Sequence, residues 1–542
     1  MLTIRKILAI ALIVTLPAAV AGQEPGANSL KPLAKGLWDR DAAAHLLARA
    51  GFGGTPEEIE RLSAMGVDEA VSYLVDFKDL PYACPEPAIA DELMQPPNRQ
   101  LLRSMTEEER RKAEESRRRL ERTALEETRA WWIERMLTSP RPFEEKMTLF
   151  WHGRFTSGVR EVRNPVFMKE QNDLFRKNGL GNFKDLVLAV SRDRAMLVYL
   201  DGNRNNKSKP NENYARELME LFTLGVGNYS EADIKEAARA FTGWQFDEDG
   251  FVFRGRNHDY GPKKFLGKTG KFNGEDIVEI ILDQPACSRF LATKILEFFV
   301  RPDPPKPLVD ALAAELRKNK FELRPTMATL FRSQAFYHPD SRGALVKSPV
   351  ELIVGTARRL GVPINNLVVA ERAMAQMGQE LLQPPNVKGW DGHEKWINAA
   401  TLFQRYNAVG AIINGGAAGP NARARIAAAV GASSEDDDKY KDDEMMKMGD
   451  TPAEKSRLAG RAQPAFDPMP VVRANSLKSA EDLVDYFSRF LLPRPLHTAK
   501  REQLIAYLLD GKPSFDPAAK GAETRIRTMV HLLCSTPEYQ MN

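Results

Sequence analysis

The residues best suited to acid–base chemistry lie in two short stretches of the chain. The first stretch reads NENYARELMELFTLG and contains Arg216, Glu217 and Glu220. The second contains His258 followed by Asp259, and a histidine beside a carboxylate can act as an acid or a base near neutral pH. Together these five side chains form the candidate catalytic set of a hydrolase, with carboxylates from the first stretch and the His–Asp pair from the second.

The competing explanation for the first stretch is an amphipathic helix with one solvent-exposed face. At 100° per residue its apolar and polar side chains fall on opposite faces. The apolar face holds Tyr214, Ala215, Leu218, Leu221 and Phe222, and the polar face holds Glu212, Asn213, Arg216, Glu217 and Glu220. Glutamate and arginine four residues apart form an ordinary salt-bridged stripe, and Gly225 ends the helix as a C-cap. The pattern therefore predicts an exposed stripe, and burial of these carboxylates would require an explanation.

The second stretch follows a predicted β-hairpin. Residues 244–255, WQFDEDGFVFRG, alternate apolar and polar side chains around an Asp-Glu-Asp-Gly turn. Such a hairpin could fold the His258 loop back over the helix of the first stretch. A turn histidine beside a hydrogen-bonded Asp259 is the alternative explanation.

No local signature predicts a metal or a cofactor, and both stay unknown. The seven histidines show neither the H-x-x-x-H spacing of zinc proteases nor a Glu-x-x-His pair. A metal site would require His152, His258, Asp259 and a helix carboxylate to converge. His152 lies on a largely apolar helix, which favours a buried, hydrogen-bonded histidine. Ser348 precedes a proline, which favours a helix N-cap over a nucleophile.

Residues 261–269, GPKKFLGKT, superficially resemble a phosphate-binding loop. Their glycines are one residue too far apart, and no apolar helix follows. We interpret this segment as a basic, glycine-bearing loop.

The elements that must position these residues are predominantly helical. Apolar spacing predicts helices over residues 41–50, 106–137, 143–155, 183–200, 212–224, 231–242, 275–283, 286–300, 308–319, 324–333, 349–360, 367–377, 396–413, 479–491, 500–510 and 520–534. The fold class is therefore mainly α: a multi-helix globular domain with a small β-hairpin and a disordered insert.

One predicted helix is long and densely charged. It begins at a capping box formed by Thr106 and Glu109 and continues to Leu137. A solvated face with ion pairs four residues apart explains most of its charge. Its apolar end, WWIERML, predicts that only this end docks on the core.

The chain divides into four parts. These are a signal peptide (1–21), a main helical domain (40–414), a flexible acidic, low-complexity insert (415–474) and C-terminal helices that pack back on the main domain (475–542). Two basic residues, an apolar run and an Ala-Val-Ala cleavage pattern indicate the signal peptide. The insert is acidic and poor in aromatic residues, a composition that buries too little apolar surface to fold.

Export follows from the signal peptide, so we expect a periplasmic or secreted protein. No later apolar run is long enough for a membrane span after signal removal. With 77 basic and 73 acidic residues the net charge is only +4, which argues against a nucleic-acid partner. The three cysteines allow at most one internal disulfide.

Several longer motifs together resemble a known family. In chain order they are HLLARAGFGGTPEEIERL, FEEKMTLFWHGRFTSG, NENYARELMELFTLGVGNYSEADIKEAARAFTGW, HDYGPKKFLG, QPPNVKGWDGHEKWINAATLFQRYN and LLCSTPEYQ. They resemble the bacterial exported family catalogued as domain of unknown function 1800, over residues 40–415 and from 480 onward. The resemblance implies a helical exported protein that accompanies a second exported family similar to sulfatases and phosphatases. It assigns no activity and no catalytic residue.

Two function classes remain. The first is a non-catalytic partner or scaffold for another exported or cell-envelope protein, because the standard catalytic motifs are missing and the long charged helix is available. The second is a secreted or periplasmic hydrolase that uses the carboxylates of residues 212–220 with His258 and Asp259.

Overall fold

The computed structural model describes residues 26–77, 80–94, 103–415 and 464–542. The described chain is built mainly from α-helices, so the predicted fold class is confirmed. The predicted signal peptide lies outside the described residues, as does the larger part of the predicted insert. Within the described part, no helix is both long and apolar enough to cross a bilayer.

The helices and strands follow one another along the chain in three groups. The first group is α1 (Arg40–Ala50), α2 (Pro56–Met65), α3 (Val67–Val75), α4 (Asp91–Met94), α5 (Glu107–Thr138), α6 (Pro142–His152), α7 (Val159–Val162), α8 (Pro165–Asn178), α9 (Phe183–Arg192) and α10 (Arg194–Tyr199). The second is α11 (Asn213–Glu217), α12 (Glu231–Ala240), β1 (Trp244–Asp247), β2 (Gly250–Phe253), β3 (Lys263–Phe265), β4 (Lys268–Gly270), α13 (Gly274–Asp283), α14 (Pro285–Phe299), α15 (Lys306–Lys318), α16 (Leu323–Arg332) and α17 (Gln334–Tyr337). The third is α18 (Pro349–Leu360), α19 (Leu367–Gln376), α20 (Ala399–Asn414), α21 (Met469–Ala474), α22 (Ala480–Leu491), α23 (Thr498–Leu509) and α24 (Ala522–Cys534).

Short polar motifs fix several helix starts. At the start of α5 the Thr106 side chain accepts a hydrogen bond from the Glu109 N–H, and the Glu109 carboxylate accepts one from the Thr106 N–H. The starts of α12 and α18 carry the same capping box, with Ser230 and Ser348 as capping residues. These bonds satisfy N–H groups that have no partner inside the helix. The predicted N-cap role of Ser348 is therefore confirmed.

Two predicted helices are interrupted. The helix predicted over 183–200 breaks at Asp193, which ends α9 and caps α10. The helix predicted over 212–224 is α-helical only as α11, and it continues as a π-helical segment over Leu218–Thr223. Apolar spacing does not distinguish these cases, because it records which face is buried and not how each hydrogen bond closes.

Helix α5 has the predicted two-part character. Its 32 residues would span about 48 Å. Its buried residues begin only at Ala124 and include Trp131 and Trp132. Ion pairs four residues apart line its exposed half: Glu108–Lys112, Arg111–Glu115, Glu114–Arg118 and Arg117–Glu121. Only the C-terminal half of α5 docks on the core.

Two antiparallel hairpins complete the fold. Strand β1 pairs with β2, with Trp244 opposite Phe253, and this is the hairpin that the sequence predicts. A second hairpin pairs β3 with β4, with Lys263 opposite Gly270. It occupies the segment interpreted above as a basic loop, so that interpretation was wrong. Gly267 has a φ of 80°, which supplies the left-handed turn between the strands.

One continuous hydrophobic core includes residues from the first helices to the last. Helix α20 packs against both α18 and α24, so the C-terminal helices share that core. Residues 464–474, which composition assigned to the insert, are instead folded. Phe466 and Val472 are buried there, and α21 forms. Composition averaged over sixty residues hides these few apolar anchors.

Candidate functional site

Arg216 points toward the start of α12. It donates two hydrogen bonds to Glu231, from Nη1 to Oε1 at 2.8 Å and from Nη2 to Oε2 at 2.9 Å. A longer bond of 3.3 Å joins Nη2 to Glu212. The hydrogen bond with Glu231 raises the pKa of Arg216. Half of the predicted stripe is therefore present, but the main partner of Arg216 lies on another helix.

The two glutamates of the candidate set differ in their surroundings. Glu220 accepts a hydrogen bond of 3.1 Å from the hydroxyl of Tyr229. Glu217 is half-buried, and its carboxylate forms no hydrogen bond or ion pair with any residue that the structure describes. Burial raises the pKa of Glu217, and the neighbouring Glu220 adds to this effect, while Arg216 and Lys388 oppose it. Of the candidate set, Glu217 has the environment expected of a general acid.

His258 and Asp259 are held by structural contacts. His258 is only 4% exposed, and its Nδ1 donates to the Thr242 carbonyl at 2.8 Å. Burial lowers the pKa of His258, and the Thr242 carbonyl opposes this shift. Asp259 accepts hydrogen bonds from Arg239 at 2.7 and 3.2 Å, and these lower its pKa. The contacts match the alternative explanation of a turn histidine beside a hydrogen-bonded aspartate.

Helix α12 separates the two halves of the candidate set. Arg216 binds Glu231 at its first residue, and Asp259 binds Arg239 eight residues later. At 1.5 Å per residue these positions are about 12 Å apart along the helix axis. Among the described residues, no hydrogen bond or ion pair joins Arg216, Glu217 or Glu220 to His258 or Asp259. The hairpin does not carry the histidine into contact with the glutamates.

His152 is a buried histidine, as the sequence predicts. It is 1% exposed, and its Nε2 accepts a hydrogen bond of 3.2 Å from the Leu382 N–H. Its ring packs against Trp132 and Trp390. Burial lowers its pKa to about 3, so it stays neutral at physiological pH.

Sequence reasoning missed a pocket in which distant motifs meet. This motif pocket, of about 90 Å³, is lined by residues from FWHGRF, from the start of α18, from α14 and from GWDGHEKW. Its polar lining includes Arg154, Glu297, Ser348, Glu351 and His393. These residues are separated by up to about 240 positions in sequence, so only the fold brings them together.

Two side chains of the motif pocket lack polar partners. The side chains of Arg154 and His393 form no hydrogen bond or ion pair with any described residue. Burial lowers the pKa of both, and Glu297 opposes the shift in each case. His393 also has a φ of 50°, in the left-handed region that non-glycine residues rarely adopt. Such backbone conformations cluster at functional sites.

Two of the three carboxylates of the motif pocket are already engaged. Glu351 accepts hydrogen bonds from Lys146 and from the Ser348 N–H. Glu297 pairs with Lys294 at 2.9 Å. Asp391 also lines the pocket, and its carboxylate forms no hydrogen bond or ion pair with any described residue. The pocket therefore offers one guanidinium, one imidazole and one carboxylate as its free charged or titratable groups.

A family model described as "Protein of unknown function (DUF1800)" matches residues 45–541 of this chain. The chain belongs to the DUF1800 family. No curated protein and no solved structure matches it. The resemblance drawn from the motifs is thereby confirmed over nearly the whole chain.

Two of the six motifs that carry the resemblance, those containing FWHGRF and GWDGHEKW, line the motif pocket. The two motifs are visible in the sequence, but the sequence does not show that they meet in the fold. Across the described ranges, no cluster of three or more His, Cys, Asp or Glu side chains could hold a metal ion. The convergence of His152, His258, Asp259 and a helix carboxylate is accordingly not found there.

Proposed function

We propose that this DUF1800 protein is a non-catalytic partner for another exported protein, which it binds through a groove beside α5. This basic groove, of about 1050 Å³, lies between the exposed half of α5 and the segment that leads into α8. Its charged lining residues are Lys112, Glu115, Arg118, Arg119, Glu121, Arg122, Arg160 and Arg163. Six of these eight residues are basic.

The acidic residues of the basic groove do not neutralise it. Glu115 pairs with Arg111 and Glu121 pairs with Arg117, and neither arginine lines the groove. Both carboxylates are therefore engaged from outside.

The observation that carries the proposal is a set of three exposed arginines. Arg119, Arg122 and Arg163 form no ion pair with any carboxylate that the structure describes. Unpaired guanidiniums along one groove attract an acidic surface, speed its encounter and exclude basic competitors. The occupant that this charge selects is an acidic face of the partner protein.

The test is site-specific photocrosslinking in cells that naturally produce the protein. A photoreactive residue replaces Ser116, which lines the basic groove, and a control places it at Arg204, which is remote and exposed. We expect crosslinking at position 116 to an exported protein with an acidic surface, and none at position 204.

Charge reversal then tests the mechanism of binding. The triple variant Arg119→Glu, Arg122→Glu, Arg163→Glu should abolish co-purification of that protein. A matched triple variant, Arg110→Glu, Arg204→Glu, Arg256→Glu, changes exposed arginines outside the groove lining and should retain it. Binding by the wild type should weaken as salt rises. Equal binding by both triple variants, or the absence of any crosslink at position 116, would refute the proposal.

The hydrolase alternative gains no support from the contacts of its residues. Arg216, Glu217 and Glu220 lie at one end of α12, and His258 and Asp259 lie at the other. Of these residues, only Glu217 combines a raised pKa with the lack of a described hydrogen-bond partner. A single acid without a partner base does not define a hydrolytic site.

A further inference from the structure

A second region of the molecule collects positive charge inside a cavity. This arginine cavity, of about 1200 Å³, lies between α1, the loop after α17 and the end of α22. Five arginines line it: Arg342, Arg359, Arg489, Arg494 and Arg501. Its lining residues are distinct from those of the basic groove and of the motif pocket, although Arg342 lies only six positions before Ser348 of the motif pocket.

Every carboxylate in the lining already has its own partner. Asp41 pairs with Arg489 and Asp485 pairs with Arg501, which neutralises two of the five arginines. The other two lining carboxylates also have partners outside this set of arginines: Asp39 caps α1, and Asp340 faces Arg301 and His338.

The remaining three arginines meet only neutral groups. Arg359 donates to the Leu491 carbonyl at 3.0 Å. Arg494 donates to the Arg342 carbonyl at 2.7 Å and to the Pro339 carbonyl at 3.3 Å. The Arg342 side chain has no hydrogen-bond partner among the described residues, and its Nε is buried. Three guanidinium groups therefore stand in this cavity without an ion pair to any side-chain carboxylate that the structure describes.

Buried polar atoms around the same cavity also lack partners. Tyr337 lines the cavity and is 4% exposed, and its hydroxyl has no described hydrogen-bond partner. Arg49 lies one helical turn from the lining residue His45. It is 1% exposed, and its Nε and Nη1 are buried without a described partner. Native proteins rarely leave such donors unsatisfied, so each calls for an explanation.

We propose that the arginine cavity binds a tetrahedral oxyanion of the phosphate or sulfate class carried by a small molecule. Arg342, Arg359 and Arg494 neutralise its charge, and the Tyr337 hydroxyl donates a hydrogen bond to one of its oxygens. Guanidinium groups suit this role because their planar N–H donors match the spacing of phosphate oxygens. The volume leaves room for the organic part of the ligand.

The test is isothermal titration calorimetry of the purified chain with inorganic phosphate and, separately, inorganic sulfate. Titration with chloride at equal ionic strength provides the baseline. We expect saturable heat with phosphate, with sulfate or with both, and none with chloride. The stronger of the two oxyanions identifies the class of the natural ligand.

Two variants show whether the binding is in this cavity. Arg342→Met should weaken binding at least about tenfold, because it removes a charge-assisted donor. Tyr337→Phe keeps the ring and deletes only the unpartnered hydroxyl, so it should fold normally and still weaken binding several-fold. Arg204→Gln, which removes an exposed arginine elsewhere, should bind like the wild type.

Two results would overturn the proposal. One is heat that fails to saturate with either oxyanion. The other is equal affinity in the wild type and Tyr337→Phe, which would place the anion elsewhere even if Arg342→Met did not fold.

Discussion

Two groups of arginines in this chain differ in whether a carboxylate balances their charge. In the Glu145 cluster, fully buried Glu145 accepts hydrogen bonds from Arg135 at 2.7 Å and from Arg176 at 2.9 and 3.0 Å. In the arginine cavity, Arg342 and Arg494 form no ion pair with any carboxylate in the described part of the chain. The first group is complete within the protein, whereas the second is completed only by something that the protein binds.

The pKa shifts follow the same division. Burial by itself would raise the pKa of Glu145, but Arg176 and Arg135 outweigh burial and lower it. The pKa of Arg49 is lowered to about 9, mainly by burial, with Glu351 opposing the shift and Arg494 adding to it. Opposite charges and hydrogen bonds around a buried group stabilise its ionised form, whereas burial without them destabilises that form. Buried charge alone thus does not reveal function, so the comparison depends on whether a carboxylate pairs with each cation.

The largest predicted effect comes from a substitution that disrupts the Glu145 cluster. Glu145→Gln keeps the shape of the side chain and removes its charge, so Arg135 and Arg176 lose their one fully buried counter-charge. As described ion-pair partners they keep only Glu144 at 3.8 Å and the more exposed Asp173 at 2.8 Å. We expect a loss of about 3–5 kcal/mol in the free energy of unfolding. Urea denaturation measures it, and a loss below about 1 kcal/mol would show that the cluster is not a structural network.

Asp193 is a buried carboxyl group that forms no ion pair with any described residue, so it tests the same comparison with an acidic group. Burial raises the pKa of Asp193 to about 7, against an ordinary value near 4. Between these two values the folded state holds a proton that the unfolded state releases. Stability should therefore fall as pH rises from about 4 to about 7, and then level off.

Asp193→Asn isolates that contribution. Its amide oxygen can still accept the bonds from the Met196 N–H and from Gln171. Relative to the wild type, this variant should gain up to about 4 kcal/mol between pH 4 and pH 8. Denaturation curves at several pH values check this, and parallel pH profiles for the two proteins would contradict it.

A smaller effect is expected in the arginine cavity without its ligand. Arg342→Met removes a charge that has no partner to lose, so the free energy of unfolding should change by less than about 1 kcal/mol. Thermal unfolding in chloride buffer measures the effect. A loss as large as that of Glu145→Gln would show that Arg342 is structural and would remove the contrast between the two groups.

The smallest effect is expected at the exposed pair of Arg216 and Glu231. Solvent screens this pair, so Glu231→Gln should shift the unfolding temperature less than the Arg342→Met substitution does. Added salt should erase the difference from the wild type. A large and salt-insensitive loss would mean that Arg216 holds something more than a surface ion pair.

The parts of the fold that depend on nearby residues could be predicted from sequence. Capping boxes at Thr106, Ser230 and Ser348 span only four residues each, and the first hairpin spans twelve. The π-helical segment Leu218–Thr223 and the break at Asp193 depend on tertiary packing, which local patterns do not encode.

The candidate sites were harder to predict for the same reason. Arg216 and His258 are close in sequence, but α12 holds their contacts apart. Arg342, Arg359 and Arg494 are up to about 150 residues apart, and no spacing rule connects them. These arginines stand out because no described carboxylate pairs with them. That becomes visible only when the partners of each side chain in the fold are known.

A crystal structure of the protein soaked in selenate tests the central claim most directly, because selenium marks a tetrahedral oxyanion by its anomalous signal. The account predicts an anomalous peak within hydrogen-bond distance of Arg342, Arg494 and the Tyr337 hydroxyl. It predicts no comparable peak at the Glu145 cluster, where the charges are already paired. An arginine cavity without a peak, in crystals that hold selenate elsewhere, would contradict it.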